Sequence, residues 1–237
     1  MFSSDRITDY YAKIQSTVCS LSYKVQPDNT LKQGYVLSWP VTNVCPEPVT
    51  EPEAYKETAT ARLTSLVGPG STVSEVKPRT PSSTLVFPLA QYTPLFTPEN
   101  YSTEHAGVCA TLDVLKDPSF KGGSWAFTAG YFNIHPDYRN RLLNTAAPGT
   151  IITASQQANG FYKSGWPSGM LPPAYTLLSK RFLRDAIANG KGDLIALEEW
   201  RRGTVGEPDG WTYHAKGLWV TPPESAGPAI TLIGSTN

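Results

Sequence analysis

The chain has 237 residues, of which 40% are hydrophobic and 17% charged. That is the composition of a folded chain with an apolar core, and it excludes a disordered, highly charged one. A formal net charge of zero removes any global argument for nucleic acid as a partner.

In chain order, the first predicted element is a helix. Ile7, Tyr10, Tyr11, Ile14, Val18 and Leu21 recur at helical spacing behind Asp5 as cap. From Gly34 to Pro48 turn residues break up any period. Pro52 to Val67 is predicted as a second helix, stopped by Gly68-Pro69-Gly70. Gly70 to Ser83 is rich in Ser, Thr and Pro and reads as a solvated loop.

Beyond Ser83 the pattern sharpens. Strands are predicted at Leu85–Leu89, Ser124–Tyr131, Thr150–Ala154, Leu194–Trp200, Trp211–Val220 and Ala229–Ser235. Helices are predicted at His105–Lys116, Pro136–Asn144 and Pro173–Asn189, the last stopped by Asn189-Gly190. Strands alternating with helices imply an α/β layer structure. The last strand is strongly apolar, so it is expected inside a sheet, and the sequence is expected to be truncated at its C-terminus.

Cys19, Cys45 and Cys109 are odd in number and far apart, which fits neither a disulfide framework nor a zinc pattern. Free thiols in a reducing compartment are expected. No apolar run approaches the roughly 20 residues that cross a bilayer. The opening MFSSDRITDYYAKIQ lacks the apolar core of a secretory signal. A chain of this kind acting on membrane lipid would reach it from the side.

The chemistry concentrates in Trp211–Val220. Alternation along a strand would put His214 and Lys216 on one face, roughly 7 Å apart at Cα. Ala215 and Gly217 are small and fall on the other face. An imidazole beside an ammonium suits phosphoryl chemistry. The ring can attack phosphorus or move a proton, and the ammonium neutralises the non-bridging oxygens. Such a pair requires neither metal nor cofactor. Ser235 and Asn237, in the closing Gly-Ser-Thr-Asn, offer a hydroxyl and an amide that could bond phosphate oxygens or orient the histidine. A lone His-x-Lys arises readily by chance; followed by a strand ending in Gly-Ser-x-Asn it is far more specific.

HAKGLW followed by LIGSTN resembles the second His-x-Lys motif of the phospholipase D superfamily. TAGYFNIHPDY, ITASQQANGFY, PPAY, EEWRRG and WTYHAKGLW narrow the likeness to the C-terminal part of the phosphatidylglycerophosphate synthases. These are the CDP-diacylglycerol–glycerol-3-phosphate 3-phosphatidyltransferases. The likeness is strongest from Leu85 to Asn237. It implies a terminal helix of a preceding catalytic half at 1–25, a Pro/Ser/Thr-rich connection at 26–83, and a phospholipase D-like second half-domain at 84–237. The implied fold is a mixed sheet flanked by helices. Three departures stand out. The motif's Asp position holds Thr221, His214 and Asn237 lie 23 residues apart, and neither His105 nor His135 begins a first motif.

The resemblance implies CDP-diacylglycerol and glycerol 3-phosphate as substrates, a phosphatidyl-histidine intermediate, and a peripheral setting on the mitochondrial inner membrane. It implies that His214 is the acid/base partner rather than the nucleophile. It also implies that the missing half, or a second chain, completes a site that is inactive in this chain alone. Glu198, on the preceding strand, is a candidate to accept the second N–H of the His214 ring, although a solvent-facing glutamate is the commoner case. Tyr131 and Asn133, in the turn after a strand, could line the acceptor pocket or form an ordinary turn. Arg201 is a candidate phosphate contact, set against a solvated arginine pair. Two other readings stand beside the transferase. One is a single-motif phosphodiesterase active as a dimer. The other is a non-catalytic lipid-binding module.

Overall fold

A computed structural model describes residues 5–67, 84–92 and 102–235, with the side chain of Arg6 left out. Asn237 and the Ser/Thr/Pro-rich stretch from Gly70 to Ser83 lie outside the described residues. Contacts divide the chain into two units, Met1–Gly107 and Val108–Asn237.

In the first unit, α1 (Asp5–Cys19) and α2 (Pro52–Val67) lie where helical spacing predicts them. Tyr10, Ile14 and Val18 of α1 join Leu21, Cys45 and the Ala59, Leu63 and Val67 stripe of α2 in one apolar cluster. Tyr11 departs from the predicted inner face and is exposed. The Tyr55 hydroxyl donates to Leu21 O at 2.9 Å. Between the helices, β1 (Lys24–Pro27) and β2 (Tyr35–Ser38) form an antiparallel hairpin that the sequence pattern does not reveal. Both strands have four residues and almost no buried face, so no alternation marks them. Gly34, at φ +75°, takes the left-handed turn that glycine tolerates. The strand expected at Leu85–Leu89 is absent: Leu85, Val86 and Phe87 are exposed, and no ladder partner pairs with them among the described residues.

The second unit is a mixed five-stranded sheet with helices. Its further elements are α3 (Thr103–Val114, which the division between units cuts), β3 (Ser124–Ala129), α4 (Pro136–Leu143), β4 (Gly149–Ala154), α5 (Leu171–Ala188), β5 (Ile195–Trp200), β6 (Lys216–Thr221) and β7 (Ile230–Leu232). The sheet order is β5-β4-β3-β6-β7. β3, β4 and β5 run parallel, and β6 and β7 antiparallel to their neighbours. On one face Trp125, Ala129, Ile151, Ile195, Leu218 and Val220 pack with Leu112 of α3, Leu142 of α4 and Phe182 of α5. Each buried Ile, Leu, Val or Phe among them contributes about 1.5–3 kcal/mol by leaving water. The centre is tight. A Cβ at Gly149 would fall 1.9 Å from Trp125 Cε2, while Trp125 Nε1 donates to Thr145 Oγ1 at 3.0 Å.

Two predicted strands are shorter than expected. Trp211 to Ala215 is irregular, and pairing begins only at Lys216. The last strand is three residues at the sheet edge, with Ile230 and Thr231 exposed, not an interior strand. Because β6 opposes β3, its first residue lies beside the carboxyl ends of the parallel strands, where open α/β sheets bind ligands.

Candidate active site

Lys216 opens β6 opposite Ala129, the last residue of β3. The preceding segment leaves the sheet because its amides are claimed elsewhere: Trp211 N donates to Arg202 O at 3.0 Å and Tyr213 N to Ala158 O at 2.9 Å. Gly130 N returns a bond to Ala215 O at 3.1 Å. This stitching fixes His214 across the end of β3. Only glycine fits at 130, since a Cβ there would lie 2.4 Å from Tyr213 O and 2.9 Å from His214 Cα.

His214 and Lys216 meet, although not by strand alternation. Lys216 Nζ lies 2.8 Å from His214 Nε2. Burial pulls the Lys216 ammonium below its usual range, because the charged form loses water. An ammonium there donates to an unprotonated Nε2 and leaves the ring proton on Nδ1. His214 itself is exposed, so an incoming group can reach it.

Tyr131 binds the pair together. Its ring centroid is 4.8 Å from that of His214, and Lys216 Nζ stands 5.7 Å from the Tyr131 centroid. On its other side Tyr131 stacks on Tyr175 of α5 at 5.4 Å and 13°, and Phe161 closes in at 5.8 Å. Tyr175 and Phe161 were not singled out from the sequence. They lie within PPAY and ANGFY, which carry the family likeness, but an aromatic residue by itself reads as core. Trp200, ending β5, stacks on Tyr213 at 5.2 Å and so supports the segment from below. Burial pushes the Tyr213 phenol up.

The other expected residues distribute differently. Ser235 is exposed just beyond β7. Carrying the Leu218↔Leu232 register two residues further sets Gly234 beside Lys216, and both line one small cavity of about 20 Å³. Asn133 is exposed in the turn after Tyr131, its amide bonded to Tyr131 O at 2.9 Å. Arg201 is exposed at the end of β5, with Nε donating to Gly203 O at 3.1 Å. Glu198 is not brought to His214. It is exposed on edge strand β5, with β4 and β3 between it and β6. β5 and β6 follow one another in sequence but are not neighbours in this sheet, and that undoes the reasoning that paired them. His135 caps α4, its Nδ1 accepting from Asp137 N at 3.2 Å.

The arrangement can therefore hold a phosphate against an ammonium and present an imidazole nitrogen to it. No family model matches the chain. It is 38% identical, over 100% of its length and 46% of the relative's, to a CDP-diacylglycerol–glycerol-3-phosphate 3-phosphatidyltransferase of Saccharomyces pastorianus. A human protein of that name, designated mitochondrial, is 36% identical over 53% of this chain and 21% of its own length. Among solved structures, a phosphatidylserine synthase of Haemophilus influenzae Rd KW20 overlays on 41% of this chain and 22% of its own, at 26% identity and a TM-score of 0.34. The chain spans about half the length of the fungal relative it matches over its whole extent.

Proposed function

We propose that the second unit supplies one half of a phosphatidyltransferase site that makes phosphatidylglycerophosphate from CDP-diacylglycerol and glycerol 3-phosphate. The reading is supported above all by the 2.8 Å approach of Lys216 Nζ to His214 Nε2, in a chain 38% identical over its full length to a relative named for that reaction. The domain reading goes with it: a terminal helix of a first catalytic half, a connection, and a phospholipase D-like second half.

In this reading a histidine outside these residues attacks the phosphorus of CDP-diacylglycerol. The bond to the CMP oxygen breaks, and His214, having taken a proton from water on the ring nitrogen that Lys216 vacates, gives that oxygen its proton. Now neutral, His214 takes the proton from the primary hydroxyl of glycerol 3-phosphate as that oxygen attacks the phosphatidyl-histidine. The phosphorus–nitrogen bond breaks and the first histidine is restored. Lys216 moves from Nε2 to the non-bridging oxygens as charge builds on them, which frees the ring nitrogen for its proton work. Ser235, Asn237, Asn133 and Arg201 are candidate contacts for phosphate or acceptor. The setting is a membrane surface, mitochondrial as in the mammalian relatives' names.

The test is CMP release from CDP-diacylglycerol with glycerol 3-phosphate present. The chain is assayed alone over a range of concentrations and then joined to the N-terminal half of the Saccharomyces pastorianus relative. The expected result is no release alone and release from the joined protein that His214→Ala abolishes. Release unaffected by His214→Ala overturns the reading. Release by the chain alone, rising with the square of its concentration, favours a phosphodiesterase that completes its site by pairing two copies.

A further inference from the structure

We propose that the loop from Lys163 to Met170, together with the outward face of α5, is the surface by which this unit lies on an anionic bilayer. The proposal rests on reading the substrate as a lipid. Three large apolar side chains stand in water on one short stretch: Trp166 at 89% exposure, Met170 at 62% and Leu177 at 49%. Trp166 is held out by a compact turn. Gly169 N donates to Gly165 O and Met170 N to Pro167 O, both at 3.0 Å, and a Cβ at Gly169 would meet Ser164 O at 2.2 Å.

The helix that follows repeats the pattern. Pro172, Ser179, Phe182 and Ala186 are buried. The opposite face carries Met170, Ala174 and Leu177 and then Lys180, Arg181 and Arg184, at spacings of three and four that share one side of a helix. From Gly160 to Arg184 there are four basic residues and no acidic one. Lys163 meets Glu207 at 3.2 Å and Arg184 Nε meets Asp185 at 3.4 Å. Lys180 and Arg181 make no ion pair among the described residues. An apolar tip beside unpaired cations is the pattern of interfacial helices on anionic lipid. The core of a protein–protein interface is instead depleted in lysine.

The surface also has the right neighbour. Tyr175, half-buried on the same helix, stacks on Tyr131, which packs against His214. The lipid-facing side and the site are thus separated by one helix, a diameter of about 10 Å.

The experiment is co-sedimentation of the full chain with phosphatidylcholine vesicles that contain or lack phosphatidylglycerol. The wild type is expected to pellet with the anionic vesicles. Trp166→Ser with Met170→Ser and Leu177→Ser should weaken binding about tenfold or more. Lys180→Glu with Arg181→Glu should weaken it about tenfold and remove the preference for phosphatidylglycerol. Circular dichroism checks that each variant is folded. If the triple variant unfolds, Trp166→Ser alone carries the apolar arm. Binding equal in wild type and folded variants, or no wild-type binding, overturns the proposal. So does a dimer that vesicles do not dissociate and Trp166→Ser splits. Vesicle binding does not depend on the chemistry, so failure of CMP release by the joined wild-type protein, with vesicle binding intact, counts against the transferase reading alone.

Discussion

Nζ of Lys216 sits 2.8 Å from Nε2 of His214, so the cation of the site rests on the ring nitrogen a reaction would use. Removing either group should therefore cost activity without costing fold. We expect His214→Ala to lower CMP release by the joined protein by about 10²–10⁴-fold, the usual worth of a positioned acid/base. His214 is exposed, so the melting temperature should not move. A variant that melts early and loses activity in proportion would count against a chemical role.

Burial lowers the Lys216 pKa below 10.5, and that gives a pH dependence with a definite sign. Activity that needs the ammonium should fall on the alkaline side at a pH below 10.5, and Lys216→Arg should carry that limb to higher pH. For stability the sign is the reverse. Between the lowered pKa and 10.5 the unfolded chain binds more protons at this position, so the group's contribution to stability rises with pH. Denaturant melts of wild type and Lys216→Met across that window check it; parallel curves would remove the desolvation argument.

Tyr131 touches His214, Lys216, Tyr175 and Phe161 through its ring. Tyr131→Phe keeps those contacts and should change kcat little. Tyr131→Leu loses aromatic contact worth about 0.5–1.5 kcal/mol and should lower kcat several-fold. Equal losses in the two variants would move the role to the hydroxyl, which a Cβ at Gly160 would approach at 3.0 Å.

Gly130→Ala puts a methyl group 2.4 Å from Tyr213 O, in the backbone that carries His214. It should cut activity at least tenfold by displacing His214, since small misplacements are costly. Gly149→Ala drives a methyl into the Trp125 ring and should destabilise by about 1–3 kcal/mol. The two glycines thus separate: activity is lost first at Gly130 and thermal stability first at Gly149.

Helices were the most legible elements, because their apolar spacing and stop signals are local. α2 has the predicted bounds, and α4 begins at the proline that follows His135. β3 and β4 were legible because buried parallel strands are short apolar runs. The hairpin of β1 and β2 was not, since exposed strands carry no alternation. Trp211–Ala215 alternates like a strand, yet its amides bond to Arg202 and Ala158, partners that no local pattern names. The meeting of His214 and Lys216 was foreseen for the wrong geometric reason. Glu198 is exposed on an edge strand separated from β6 by two strands, because sheet order, not chain order, decides which strands touch.

β7 ends the sheet with three residues, and beyond it Ile233 is exposed at 78%. Its outer side presents backbone donors and acceptors with no strand against them among the described residues. An edge like that is a template for any extended segment, including one from another copy. Three residues keep that template short, so any strand addition should be weak and confined to concentrated preparations, and Ile233→Lys should remove it.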